Sequence, residues 1–236
     1  MSDSLVIIPT FNEKENISKI IAKIFSLEKK FHVLVVDDGS PDGTADIVKS
    51  LAEFGTSLFI LERKGKQGLG TAYIAGFKWG LSKSYEYLFE MDADFSHNPK
   101  HLTRLYDACS NDNADVAVGS RYIKGGRIKN WPLNRILMSY FASIYVRIIL
   151  WINVKDTTAG FKCYKRKVLE TIPLDEIRFI GYAFQIEMKY RAIRAGFKIK
   201  EVPITFIDRV EGQSKMSTKI FKEAFLGVIQ MRFFVK

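Results

Sequence analysis

The chain has 236 residues, 47% of them hydrophobic and 26% charged, which suits one domain that buries a core without disulfides or structural metal and excludes a largely disordered or low-complexity protein. Its 36 Lys and Arg against 26 Asp and Glu leave a net charge of +10. An excess of that sign points to an anionic partner: nucleic acid, a membrane surface or a phosphorylated substrate.

Directly after MSDS the chain enters LVIIPT, so a strand is expected at the start and no cleavable leader. In NISKIIAKIFSL (16–27) the residues Ile17, Ile20, Ile21 and Ile24 fall at helical spacing and predict the first helix. HVLVVDD (32–38) reads as a strand, DGTADIVKSLAEF (42–54) as a helix and SLFILE as a strand. GTAYIAGFKWGLSKS and NPKHLTRLYDAC continue as helices, with YEYLFEMD and DVAVGSR as the strands after each of their predecessors. Runs as continuously apolar as VLVV expect helices on both faces of a mostly parallel α/β sheet. The two cysteines, Cys109 and Cys163, lack metal-type spacing and read as reduced thiols of a cytosolic protein.

Beyond Arg121 the pattern changes. Residues 119–135 carry five basic and no acidic side chains, and the following 136–154 are nearly all apolar, with Arg147 inside the run. That length allows a transmembrane helix. Arg at the centre of one costs roughly 2.5–3.5 kcal/mol, so an interfacial helix or a buried core helix remains open. Near the end, Ile220, Phe221, Ala224, Phe225, Val228 and Ile229 form a helical stripe beside Lys219, Lys222, Arg232 and Lys236. One domain over 1–236 is expected, with interfacial amphipathic helices near 133–154 and 217–236.

In parallel α/β sheets ligands bind beyond the carboxyl ends of the strands. Three such ends are polar here: Pro9 to Glu13, Asp37 to Ser40, and Asp92 to Asp94. A dinucleotide fingerprint is missing after the first strand, and GKQGLGTAYIAG, after the third, has Tyr73 where a third glycine would stand. Asp92 and Asp94 would point to opposite faces of an extended strand, but a turn at the strand end lets both bend toward one ion. Carboxylates gathered beside a basic loop make sense if Mg2+ or Mn2+ bridges them to a diphosphate.

PTFNEKENI, VVDDGSPDGT, GLGTAYIAGF, MDADFSHNP, GSRY and RVEGQSKMS, in this order from Pro9 to Ser217, resemble the family 2 inverting glycosyltransferases of GT-A fold. Within that family GLGTAY, the MDADFSHNP extension and RVEGQSK are similar to the dolichyl-phosphate (polyprenyl-phosphate) mannose synthases. The resemblance implies mannose transfer from GDP-mannose to a dolichyl or polyprenyl phosphate with Mg2+ or Mn2+; related uridine-donor glucosyl enzymes share VVDDGS and the acid pair. It implies that Pro9, Phe11, Glu13, Val36, Asp38, Asp92, Ala93 and Asp94 bind the nucleotide sugar, with Phe11 standing where Tyr is frequent. Asp92 and Asp94 would hold the metal, with Ser96 or water as a third ligand. Arg121, Arg135, Ser139, Arg209 and Lys215 would surround the acceptor phosphate or the leaving diphosphate, and Asp94 with the four cations would carry catalysis. Gln185 and Glu187 lie in a segment able to face the sugar, Glu187 being equally readable as a helix-surface acid. A peripheral position on the cytoplasmic face of a membrane, with room for an anchoring partner subunit, follows from the same resemblance. A nucleic-acid module, for which RIKNWP offers the basic and aromatic residues, is the competing and disfavoured class.

Overall fold

The computed structural model describes residues 2–208 and 218–235. Seven strands form one sheet: β1 (Ser4–Thr10), β2 (His32–Asp37), β3 (Leu58–Glu62), β4 (Tyr87–Glu90), β5 (Val116–Ser120), β7 (Lys162–Lys165) and β8 (Ile199–Pro203), in the order β3-β2-β1-β4-β7-β5-β8. Every pairing is parallel except those of β7, which runs against both β4 and β5. A small second sheet pairs β6 (Arg127–Lys129) with β9 (Thr205–Ile207).

The continuously apolar strands are explained by cover on both faces. In β1, Val6 and Ile8 join the core beneath α1 (Ile17–Phe25), α2 (Thr44–Ser50) and α4 (His101–Ser110), while Leu5 and Ile7 pack on the opposite face. That opposite face is covered by α3 (Leu69–Leu81), α6 (Arg166–Thr171) and α7 (Tyr182–Arg194). Outside α7 lies a further layer, α5 (Leu133–Leu150) and α8 (Thr218–Phe234), whose contacts include Val146, Leu150, Ile186, Tyr190, Val228 and Met231.

Close approach of α3 to the sheet depends on small residues. A methyl group on Gly76 would lie 2.5 Å from Ile7 Cγ2, far inside van der Waals contact. The GLG segment at the start of α3 also serves packing: Gly70 N–H donates to the Ile180 carbonyl at 2.8 Å, and a methyl group on Gly70 would meet the Phe184 ring.

α5 is a surface helix. Only Ser143, Val146 and Leu150 are buried along it, which removes the buried-core alternative, while Leu133, Phe141 and Ile148 are mostly exposed. By length and composition it is the one described helix apolar enough to cross a membrane. Cys109 and Cys163 are free and fully buried, and the Cys109 thiol donates to the Cys163 carbonyl at 3.7 Å. Burial pushes the Cys163 thiol well above its ordinary pKa, which suits a packing group rather than a nucleophile.

Candidate functional site

The loops after β1 and β2 are tied together by the Asp37 carboxylate. It accepts from Thr10 Oγ1 at 2.8 Å, from Ser40 Oγ at 2.6 Å and from Ser40 N at 2.9 Å. Ser40 Oγ in turn accepts from Asn12 N at 3.0 Å, and Asn12 takes a positive φ of 61° at the tip of the first loop. This network holds Pro9, Phe11 and Glu13, all half-buried, beside Asp38. Asp38 is buried and accepts from Arg63 Nε at 2.7 Å; Arg63 also donates to Thr71 on α3 at 2.9 Å. Lys66 stands 5.2 Å from the centre of the Phe11 ring. Val36 is fully buried in the core against the α3 layer, so only its backbone reaches toward this loop cluster.

β4 ends at Glu90, and the chain turns through Met91 to His97. Phe95 adopts φ 60°, a left-handed conformation that costs a bulky residue about 1–2 kcal/mol. Its ring is held against the core and beneath Lys23 at 4.8 Å, which offsets that strain. The turn directs Asp92 and Asp94 into one cavity while Ala93 between them is buried. Tyr73, pushed well above its ordinary pKa by burial and by Asp92, keeps its proton and donates it to Asp92 Oδ1 at 3.2 Å. Asp94 Oδ1 accepts from Ser96 N at 3.1 Å.

His97 is fully buried, stacked on Phe161 with ring centres 4.9 Å apart, and accepts the Asp92 N–H on Nδ1 at 3.3 Å. Burial lowers its pKa to about 4 against the pull of Asp94, so the ring is neutral and supports the turn.

The cavity, of about 440 Å³, extends from the acid pair toward α5 and α8. Arg121, Arg135 and Ser139 line it together with Asp92, Asp94 and Ser96, so the structure brings these six expected residues to one place. Pro9, Phe11, Glu13, Val36 and Asp38 belong to the neighbouring strand ends and are not in its wall. Arg209 and Lys215 lie outside the described residues. The far part of the wall is apolar, with Met138, Phe141, Val146, Phe225 and Val228.

Both arginines are aimed by carboxylates. Arg121 donates Nε and Nη2 to Asp156 at 2.7 and 2.6 Å and Nη2 to Thr158 at 2.9 Å. Burial would raise the Asp156 carboxyl, but the guanidinium and its hydrogen bonds outweigh it and hold the pKa below the usual range. Arg135 pairs with Asp208 at 3.0 Å and lies 4.0 Å from the centre of the Trp131 ring. Glu187 is neither sugar-facing nor on the surface: it is fully buried and accepts from Arg178 N at 3.0 Å, Phe179 N at 3.1 Å and Arg191 Nε at 2.9 Å. It fixes the turn that enters α7.

The donor set suits a hard divalent cation. Asp92 and Asp94 supply carboxylate oxygens, and Ser96 Oγ, buried in the cavity wall, has no hydrogen-bond partner among the described residues. Among the described residues no three His, Cys, Asp and Glu side chains are grouped so as to hold a metal ion.

Residues 5–173 match Glycosyl transferase family 2. The chain is 47% identical over 228 residues to the polyprenol monophosphomannose synthase of Mycolicibacterium smegmatis, covering 96% of this chain and 86% of that one. It is 46% identical over 224 residues to the undecaprenyl-phosphate mannosyltransferase of Micrococcus luteus, covering 95% and 91%. Among solved structures, glucosyl-3-phosphoglycerate synthase of Mycobacterium tuberculosis, in complex with Mn2+ and UDP, aligns over 98% of this chain and 80% of its own at TM-score 0.69 and 16% identity. A mannosyltransferase of Pyrobaculum calidifontis, in complex with GDP-Man and Mn2+, aligns over 94% and 60% at TM-score 0.59 and 17% identity. With a family match across most of the chain and the parallel sheet carrying its acids at the strand ends, the protein is a GT-A enzyme and belongs to glycosyltransferase family 2.

Proposed function

We propose that the protein transfers mannose from GDP-mannose to a polyprenyl phosphate, giving polyprenyl-phosphate mannose with inverted anomeric configuration. The observation that carries this reading is a single cavity with Asp92, Asp94, Arg121 and Arg135 at one end and an apolar wall of α5 and α8 side chains at the other. A lipid phosphate has that polarity: a dianionic head for the arginines and an isoprenoid chain for the apolar wall. The 47% identity to a polyprenol monophosphomannose synthase supports the same acceptor class.

A divalent cation, Mg2+ or Mn2+, held by Asp92 and Asp94 with Ser96 beside them, would neutralise charge on the leaving diphosphate. The guanine nucleotide belongs at the loops after β1 and β2, where Phe11 offers a ring face and Glu13 and Asp38 offer acceptors. Arg121 and Arg135, oriented by Asp156 and Asp208, bring the acceptor phosphate to the sugar against electrostatic repulsion. A phosphate monoester has a second pKa of about 6 and attacks as the dianion at neutral pH, so the reaction needs no general base. One in-line displacement moves the anomeric bond from the diphosphate oxygen to the lipid phosphate oxygen and inverts the centre. Arg209 and Lys215 are assigned to the same phosphates by motif.

The exposed faces of α5 and α8 would seat the enzyme on the cytoplasmic surface of the membrane that holds the acceptor, alone or with an anchoring partner. Competition between GDP-mannose and UDP-glucose for transfer to a polyprenyl phosphate tests the donor. A preference of at least about tenfold in kcat/KM for GDP-mannose is expected, and a preference for UDP-glucose overturns that assignment.

A further inference from the structure

At the floor of the cavity Gln185, on α7, is 97% buried, and its side-chain Nε2 has no hydrogen-bond partner among the described residues. Its other end is fixed: Oε1 accepts from Lys162 Nζ, which also pairs with Glu90 at 3.1 Å, all three side chains being buried. An ammonium group only donates hydrogen bonds, so the amide oxygen must face Lys162 and the NH2 group must face away from it. On that side stands Gly160, a cavity residue. A methyl group there would lie 3.4 Å from Gln185 Nε2 and 3.9 Å from His97 Cε1, so the missing side chain leaves space directly in front of the amide.

A buried N–H donor left unpaired at a cavity wall is costly, and the fold retains one here with its orientation locked. From this geometry we infer that Gln185 Nε2 donates a hydrogen bond to a hydroxyl oxygen of the sugar being transferred, and that Gly160 keeps the room for it. The inference rests on the proposed glycosyl transfer and names the group that reads the hexose. A neutral amide suits a neutral hydroxyl, whereas the phosphates on either side of the sugar have the acid-bound cation and the arginines available. An amide also cannot accept a proton from the nucleophile, which agrees with a reaction that needs no base.

Calorimetric titration of the intact protein with GDP-mannose, GDP-glucose and UDP-glucose, each against its own free nucleoside diphosphate and in the presence of Mn2+, isolates the sugar's share of binding. Wild-type protein binds its preferred nucleotide sugar more tightly than the matching diphosphate. Gln185→Ala should reduce that advantage by roughly 10- to 100-fold while leaving the diphosphate's affinity within about twofold. Gln185→Glu, which keeps the shape and loses the donor, should do the same, and Gly160→Ala, which fills the space without touching Lys162, should shrink the advantage too. The inference fails if the sugar contributes nothing to wild-type binding, if Gln185→Glu and Gly160→Ala both bind as wild type, or if the variants weaken sugar nucleotide and diphosphate alike. Preference for UDP-glucose with an intact Gln185 effect would instead overturn the mannose assignment and leave this contact standing.

Discussion

At the scale of single residues, the two cavity arginines are each answered by a carboxylate, buried Asp156 for Arg121 and half-buried Asp208 for Arg135. Arg121 and Asp156 illustrate the energetics: the acid is fully buried, the arginine side chain is 8% exposed, and the pair is joined by Nε and Nη2 together. Removing one member of such a pair leaves the other charged and desolvated, so Asp156→Asn should destabilise the protein by about 3–5 kcal/mol, measured by urea unfolding at pH 7. The folded-state pKa of Asp156 is depressed. Its contribution is therefore fully present above the ordinary carboxylate pKa, near 4, and is lost as pH falls below that toward the folded value. Asp156→Asn should flatten the acid limb of the stability curve in that window, and an unchanged acid limb would show that the pair is not what holds Arg121. The sequence announces Asp92 and Asp94 because an acid-x-acid at a strand end is a local pattern. Asp156, Arg63 and the Lys162–Gln185 contact carry no such signal, since their roles are set by partners 23 or more positions away, as in Arg63 with Asp38.

At the scale of elements, legibility followed periodicity. The first five strands and first four helices stand close to where apolar spacing put them, because each presents its hydrophobic residues at its own period. The second half hid its pattern behind buried charge. β7 reads KCYK, yet Lys162 is fully buried against Glu90, and α7 buries Gln185, Glu187 and Lys189 along with its apolar residues. Burial pushes the Lys189 amine well below its ordinary pKa, and it donates to the carbonyls of Ala159 at 2.7 Å and Gln185 at 2.9 Å. β6 has only three residues and exists through β9. Where α3 meets β1 the packing leaves no slack. Gly76→Ala should destabilise by about 1–3 kcal/mol through overpacking against Ile7, read as a lower urea midpoint. A stability at or above wild type would mean that the helix can move off the sheet.

At the scale of the whole molecule, the apolar face of α5 and α8 lies beside the mouth of the cavity. Ile148 is 64% exposed and Phe233 74% exposed, on helices bearing Arg147 and Arg232. The sequence alone left this run open to three readings because burial is a tertiary property. On the proposed function this face meets the lipid surface. Replacing Ile148 and Phe233 together by Asp should lower association with anionic phospholipid vesicles at least about tenfold, in flotation assays, without lowering the unfolding midpoint. Equal flotation of the variant would place the membrane contact elsewhere.

The most direct test of the whole account is transfer of radiolabelled mannose from GDP-mannose to a polyprenyl phosphate in detergent. With Mn2+ or Mg2+ the wild-type protein should form a lipid-extractable mannosyl phosphate, chelation should abolish it, and Asp92→Asn or Asp94→Asn should each reduce it by at least about 100-fold. Undiminished transfer by either variant, or in the presence of a chelator, would contradict it.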